Sequence, residues 1–138
     1  MDVRELRIGN YILGEIDENE FAEVEVVALD SVDLTEHHIW CTGLTKQADE
    51  YYSFKPISLT EEWLIRFGFD KHTTDSGFGL DVWNWYSKED IEIHTDRADG
   101  TFVNPQYIAS VRNVKLESVH QLQNLYHALT GEELTIKD

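Results

Sequence analysis

The chain has 138 residues, with 27 Asp and Glu against 11 Lys and Arg for a net charge of −16, yet 41% of it is hydrophobic. Four Trp, six Tyr and six Phe supply what disordered acidic chains lack, so a folded body is expected, with residues 1–138 as a single domain. Such a field repels nucleic-acid phosphates and anionic lipid headgroups, whose affinity for proteins comes mainly from Lys and Arg. Direct nucleic-acid or membrane-surface binding is thereby excluded, and basic protein surfaces are favoured.

The charge is not a tail. Residues 1–57 carry 4 basic and 13 acidic side chains, and residues 58–138 carry 7 and 14. The single cysteine, Cys41, cannot form an internal disulfide, and Met1 to Asn10 is charged and lacks a secretory apolar core. No apolar run approaches the roughly 20 residues of a membrane-spanning helix. The expectation is a soluble cytoplasmic protein in a reducing compartment.

In chain order, residues 10–16, 22–29 and 38–42 read as strands broken by polar turns, the first at Asp17, Glu18, Asn19 and Glu20. Val24, Val26 and Ala28 alternate with Glu23 and Glu25, as in a half-buried antiparallel strand. Residues 30–36 read as a turn and a short strand. The first third, residues 1–57, is therefore an antiparallel β-meander or a small barrel. After Tyr51, Tyr52, Phe54 and Pro56 a helix is predicted over residues 60–67. Thr60 caps it, Glu61 and Glu62 sit at its positive end, Trp63, Leu64 and Phe67 form its apolar stripe, and Gly68 terminates it.

Residues 73–79 read as a loop, and residues 80–87, 91–95 and 101–103 alternate like a second antiparallel sheet, with a turn at 97–100. Residues 108–116 add a further strand. Ser118 then opens a second amphipathic helix over residues 118–130, with Val119, Leu122, Leu125, Tyr126 and Leu129 as its apolar face and Gly131 as its stop. The predicted class is α+β, with residues 58–138 as a helix-sheet-helix substructure. The leucines of the last helix could serve a homo-oligomer as readily as a core.

Three segments carry a resemblance: Leu6-Arg7-Ile8-Gly9-Asn10; Pro56-Ile57-Ser58-Leu59-Thr60-Glu61-Glu62-Trp63-Leu64 with Phe67-Gly68-Phe69; and Val119-His120-Gln121-Leu122-Gln123-Asn124-Leu125-Tyr126 with Ala128-Leu129-Thr130-Gly131-Glu132-Glu133-Leu134. In this order they resemble a family of small uncharacterised proteins of Bacteroidetes-type gut bacteria, their prophages and phages. The resemblance implies a mobile-element setting and a cytoplasmic location. It implies no activity and no catalytic residues, and residues 70–112 lie outside it.

Candidate sites follow from residue types. His37, His38 and Cys41 could ligate zinc, but a tetrahedral site needs a fourth ligand such as His72, His94 or Asp75, and the paired cysteine spacings are missing. The segment therefore reads as a turn into a buried strand, with Cys41 as core. His120, Gln123, Asn124 and His127 fall at helical spacing opposite the apolar face, and such a polar stripe is normally solvated. Gly77-Phe78-Gly79 reads as a turn, because the rest of a phosphate-cradling loop is missing. Asp96 and Asp99 likewise fall in a turn, with no spacing that argues for an acid-base pair.

Trp83 and Trp85 point to one side of their strand, with Val82 and Tyr86 on the other. In a small domain the Trp pair is the default core. The alternative core of Val82 and Tyr86 leaves both indoles outside, where with Arg97 and Arg112 they could stack on and neutralise a nucleotide-like ligand. Asp17, Glu18, Glu20, Glu23 and Glu25 place five acids and no base within nine residues, which solubility alone can explain. Their sharper reading is phosphate mimicry toward a basic groove.

Residue chemistry thus predicts a non-enzymatic protein, without cofactor or metal, that binds a basic host or phage protein through its acidic surface. A nucleic-acid mimic or host-defence inhibitor is the concrete form. The alternative is a protein that binds a small molecule or sequesters a nucleotide signal with the Trp83 and Trp85 region.

Overall fold

A computed structural model describes residues 5–31, 37–44, 51–75, 82–96 and 106–137, except the side chains of residues 30, 31, 37, 38, 74, 75, 82, 83, 96, 106 and 112. The class is α+β: two open antiparallel sheets, one of four strands and one of five, with two helices. The chain divides into two compact units. The first comprises residues 1–58 and 118–133, and the second comprises residues 59–117 and 134–138. The last helix thus belongs with the N-terminal sheet.

In the first unit, β1 (Tyr11–Asp17), β2 (Glu20–Ser31), β3 (His37–Gly43) and β4 (Phe54–Lys55) lie in the order β3-β2-β1-β4. A meander of three strands is thereby extended by a short fourth, and the strands do not close into a barrel. Asn19 makes the β1–β2 turn with a left-handed backbone (φ 59), which Asn tolerates better than most residues. The Glu18 amide donates to the Asp17 carboxylate at 2.8 Å in the same turn.

Ile12, Val24 and Val26 are fully buried and form a core with Leu6, flanked by Leu29, Ile39, Cys41, Tyr51 and Phe54. The predicted alternation holds through Val26 and then fails. A bulge lies between Val26, paired with Cys41, and Ala28, paired with Trp40. The extra residue, Val27, reverses the strand's parity, so Leu29 instead of Ala28 returns to the core side, opposite Ile39.

In the same unit α2 (Val119–Thr130) is bounded by local chemistry. Ser118 and Gln121 form a capping box, and Gly131 takes the left-handed terminating conformation at φ 78.

In the second unit α1 (Glu61–Arg66) begins at Thr60, whose hydroxyl accepts from the Trp63 amide, and gives way to Gly68 at φ 89. The sheet runs β5 (Asp70–Asp75), β6 (Val82–Lys88), β7 (Ile91–Asp96), β8 (Gln106–Ala109) and β9 (Val114–Leu116), each antiparallel to the next. The segment predicted as one strand over 108–116 is a hairpin, turned by a 3-10 turn at Val111–Asn113 with Asn113 at φ 53. β5 includes residues read as loop. Its sequence, Asp-Lys-His-Thr-Thr-Asp, shows no apolar alternation because β5 is an edge strand, held chiefly by its ladder to β6.

The core of this unit takes Leu64, Phe67, Tyr86, Ile93, Tyr107 and Leu116 among others. Full burial of a side chain the size of Leu64 or Phe67 contributes about 1.5–3 kcal/mol. The Glu61 carboxylate, in the first turn of α1, lies near the Tyr86 hydroxyl of the sheet. Burial and the nearby carboxylate push the Tyr86 hydroxyl well above the usual phenol range.

Candidate functional site

The five acids of the β1–β2 hairpin occupy two settings. Asp17, Glu18 and Glu20 are exposed at its tip, whereas Glu23 and Glu25 are half-buried along β2. Pairing of Leu13 with Glu23 and of Tyr11 with Glu25 shows which sheet face they share, the one opposite Val24 and Val26. On β3 the same face carries Thr42, opposite Glu25, and Trp40, opposite Ala28. Lys55 lies over the Phe21 ring, 3.8 Å from its centroid.

On the core side of β3, Cys41 is half-buried beside the Val26 cluster, and desolvation pushes its thiol up to about 11. At neutral pH a thiol raised in this way is overwhelmingly protonated, the weakly nucleophilic form. The side chains of His37 and His38 lie outside the described residues. Among the described residues no group of three or more His, Cys, Asp and Glu could hold a metal ion.

The polar stripe on α2 is only partly solvated, because Asn124 and His127 are half-buried and the other two members are buried. His120 is 2% and Gln123 0% exposed, so α2 buries them together with Val119, Leu122 and Tyr126 of the predicted apolar face, whereas Leu125 of that face is half-buried and Leu129 45% exposed. Gln123 accepts from the Tyr11 amide at 2.8 Å and donates to the Gly9 carbonyl at 2.8 Å. Its side-chain amide thus does for the start of β1 what a neighbouring strand would do, above the point where β4 pairs.

Asn124 donates to the Glu5 carbonyl at 2.7 Å and accepts from Asn10 at 2.9 Å and Arg7 at 3.3 Å. Arg7 also pairs with Glu133. His120 lies 3.3 Å from Ser118 and 3.5 Å from Glu5. Burial lowers its basicity, Glu5 only partly offsetting this, so its ring is held neutral. Two of the three segments that carry the resemblance, Leu6 to Asn10 and Val119 to Tyr126, are therefore the two sides of one polar lock, and their pairing is structural.

In the second unit the core takes the Tyr86 side of β6, which leaves Trp85 half-buried on the opposite face. The default of a Trp core is overturned at Trp85, because Tyr86 with Ile93 and Tyr107 fills the inner face. Trp85 is flanked in register by His72 on β5 and His94 on β7. The His72 ring stacks on it at 4.0 Å and 21°, and the His94 ring lies parallel at 5.9 Å and 12°. One imidazole stands on each side of the indole, so a planar ligand would have to displace a histidine to stack there. The His72 ring is further held by Ser87 at 2.8 Å and that of His94 by Glu92 at 3.5 Å.

Arg97, Asp99 and residues 77–79 lie outside the described residues, as do the side chains of Trp83, Asp96 and Arg112. The chain matches no family model, no curated protein and no solved structure. What it presents is therefore read from its own geometry.

Among the described residues no helix is long and apolar enough to cross a membrane. The residue missed by sequence reasoning is Trp40, which is 49% exposed on the outward face beside the hairpin acids. The signal was available: if Ile39 and Cys41 face the core, alternation sends Trp40 outward.

Proposed function

We propose that the protein is a non-enzymatic, cytoplasmic accessory protein of a phage or other mobile element, which acts by binding a basic host or phage protein through its acidic surface. Nucleic-acid mimicry, or inhibition of a nucleic-acid-handling host defence, is the form this takes. The mobile-element setting rests on the resemblance of the three segments.

The observation that carries the binding reading is the β1–β2 hairpin. It mounts Asp17, Glu18 and Glu20 at an exposed tip and Glu23 and Glu25 on one strand face. Carboxylates fixed on a paired strand lose less freedom on binding than those of a floppy tail, and they act within a net charge of −16 that steers basic partners inward. The small-molecule alternative finds less support, because both sides of the Trp85 indole are occupied by imidazoles.

The test is capture from host lysate by the wild-type protein and by a variant with Asp17→Asn, Glu18→Gln, Glu20→Gln, Glu23→Gln and Glu25→Gln. A basic protein retained at about 0.05 M salt should be released toward 1 M, where the Debye length falls to about 3 Å. The variant should not retain it. Capture indifferent to both salt and the substitutions refutes the proposal.

A further inference from the structure

The outward face of β2 and β3 holds more than charge. Trp40 is 49% exposed and Val27, at the bulge, is 44% exposed. Thr42, two residues along β3, stands opposite Glu25, so Trp40 and Glu25 are diagonal neighbours on one face. Glu23 follows two residues along β2. Diagonal neighbours in an antiparallel ladder lie about 7–8 Å apart, within reach of one long side chain. The bulge shapes this arrangement, because its extra residue puts Ala28 opposite Trp40 and leaves Val27 exposed between Ala28 and the Glu25 position.

An aromatic face next to carboxylates selects one chemistry above others. A guanidinium lays its plane on an indole while its N–H edge meets a carboxylate, and it gives up less hydration than an ammonium does. The geometry points to an arginine-reading face: β2 and β3 of the first unit dock an arginine-bearing segment of a basic protein, with Trp40 as the stacking anchor and Glu25 and Glu23 as the carboxylates. This deepens the proposed binding of a basic partner and rests on that reading. Charge complementarity in a chain of net charge −16 identifies the occupant as basic, and the exposed indole specifies arginine. Tryptophan and arginine are also the residues that most often dominate protein interfaces.

The probes are fluorescein-labelled nona-arginine and nona-lysine peptides, measured by fluorescence anisotropy on the full chain at about 0.05 M salt. The wild-type protein should bind the arginine peptide about two- to fivefold more tightly than the lysine peptide. Trp40→Ala should erase that preference while retaining most of the lysine-peptide affinity, and Trp40→Tyr should keep part of it. Glu23→Gln with Glu25→Gln should weaken both peptides. Circular dichroism confirms that each variant is folded.

An equal affinity for the two peptides, or a preference that survives Trp40→Ala, overturns the arginine-reading face. If the five-site acid variant nonetheless loses both peptides, the broader charge reading stands without it. If that variant binds both peptides as the wild type does, both readings fail.

Discussion

Replacing Gln123 by Met tests whether the amide that α2 buries beside its apolar face is needed there. The two side chains have similar length and volume, so packing is nearly conserved while both hydrogen bonds vanish. The Tyr11 amide and the Gly9 carbonyl, each bonded to Gln123 at 2.8 Å, then lose their partner next to a side chain that is 0% exposed. An orphaned buried peptide group costs about 1–3 kcal/mol, so the pair should cost about 2–6 kcal/mol. In a domain with a typical total of about 5–15 kcal/mol this is a large fraction.

The assay is urea unfolding followed by circular dichroism, with the midpoint compared at constant slope. Leu129→Gln is the matched control, since Leu129 is 45% exposed and its substitution should change stability by no more than about 0.5 kcal/mol. The reverse result, a tolerated Gln123→Met and a damaging Leu129→Gln, would mean that the buried amide is dispensable and that the exposed end of the apolar face carries the stability, and the reasoning would fail.

His120 makes the fold acid-sensitive. Burial depresses its basicity in the folded state, so the unfolded chain binds more protons below the ordinary histidine pKa of about 6.5. Its neutral ring contributes full stability above that pH, and the contribution is lost as pH falls; His120→Gln should flatten the decline in urea midpoint between about pH 7 and pH 5. Gly14→Ala would place a methyl 2.7 Å from the Tyr51 ring, and overpacking of this kind costs about 1–3 kcal/mol. Tyr51→Leu in the same chain should recover part of the loss, and purely additive melting shifts would show that the two do not touch. Cys41, with its thiol pushed up to about 11, should react with a thiol-exchange reagent at pH 8 far more slowly than a small free thiol, and rise to that rate only in denaturant. Fast labelling of the folded protein would contradict its place beside the core.

Local chemistry in the sequence decided much of this molecule. Thr60 and Gly68 bound the first helix, and Ser118, Gln121 and Gly131 bound the second, because caps act within one turn and need no distant partner. Alternation up to Val26 and the acids at the hairpin were likewise legible, since a strand's faces repeat every second residue. Tertiary structure decided which way each surface turns. Helical spacing separates the Leu129 stripe from the Gln123 stripe, but only the buried peptide groups at Gly9 and Tyr11 explain why an amide is needed inside. One extra residue at Val27 reversed the strand beyond it, and β5 exists because β6 offers it a ladder, not because its own residues alternate. The same holds for Trp85 and Trp40: period two pairs the residues on a face, whereas the partner that covers the opposite face determines which side meets water.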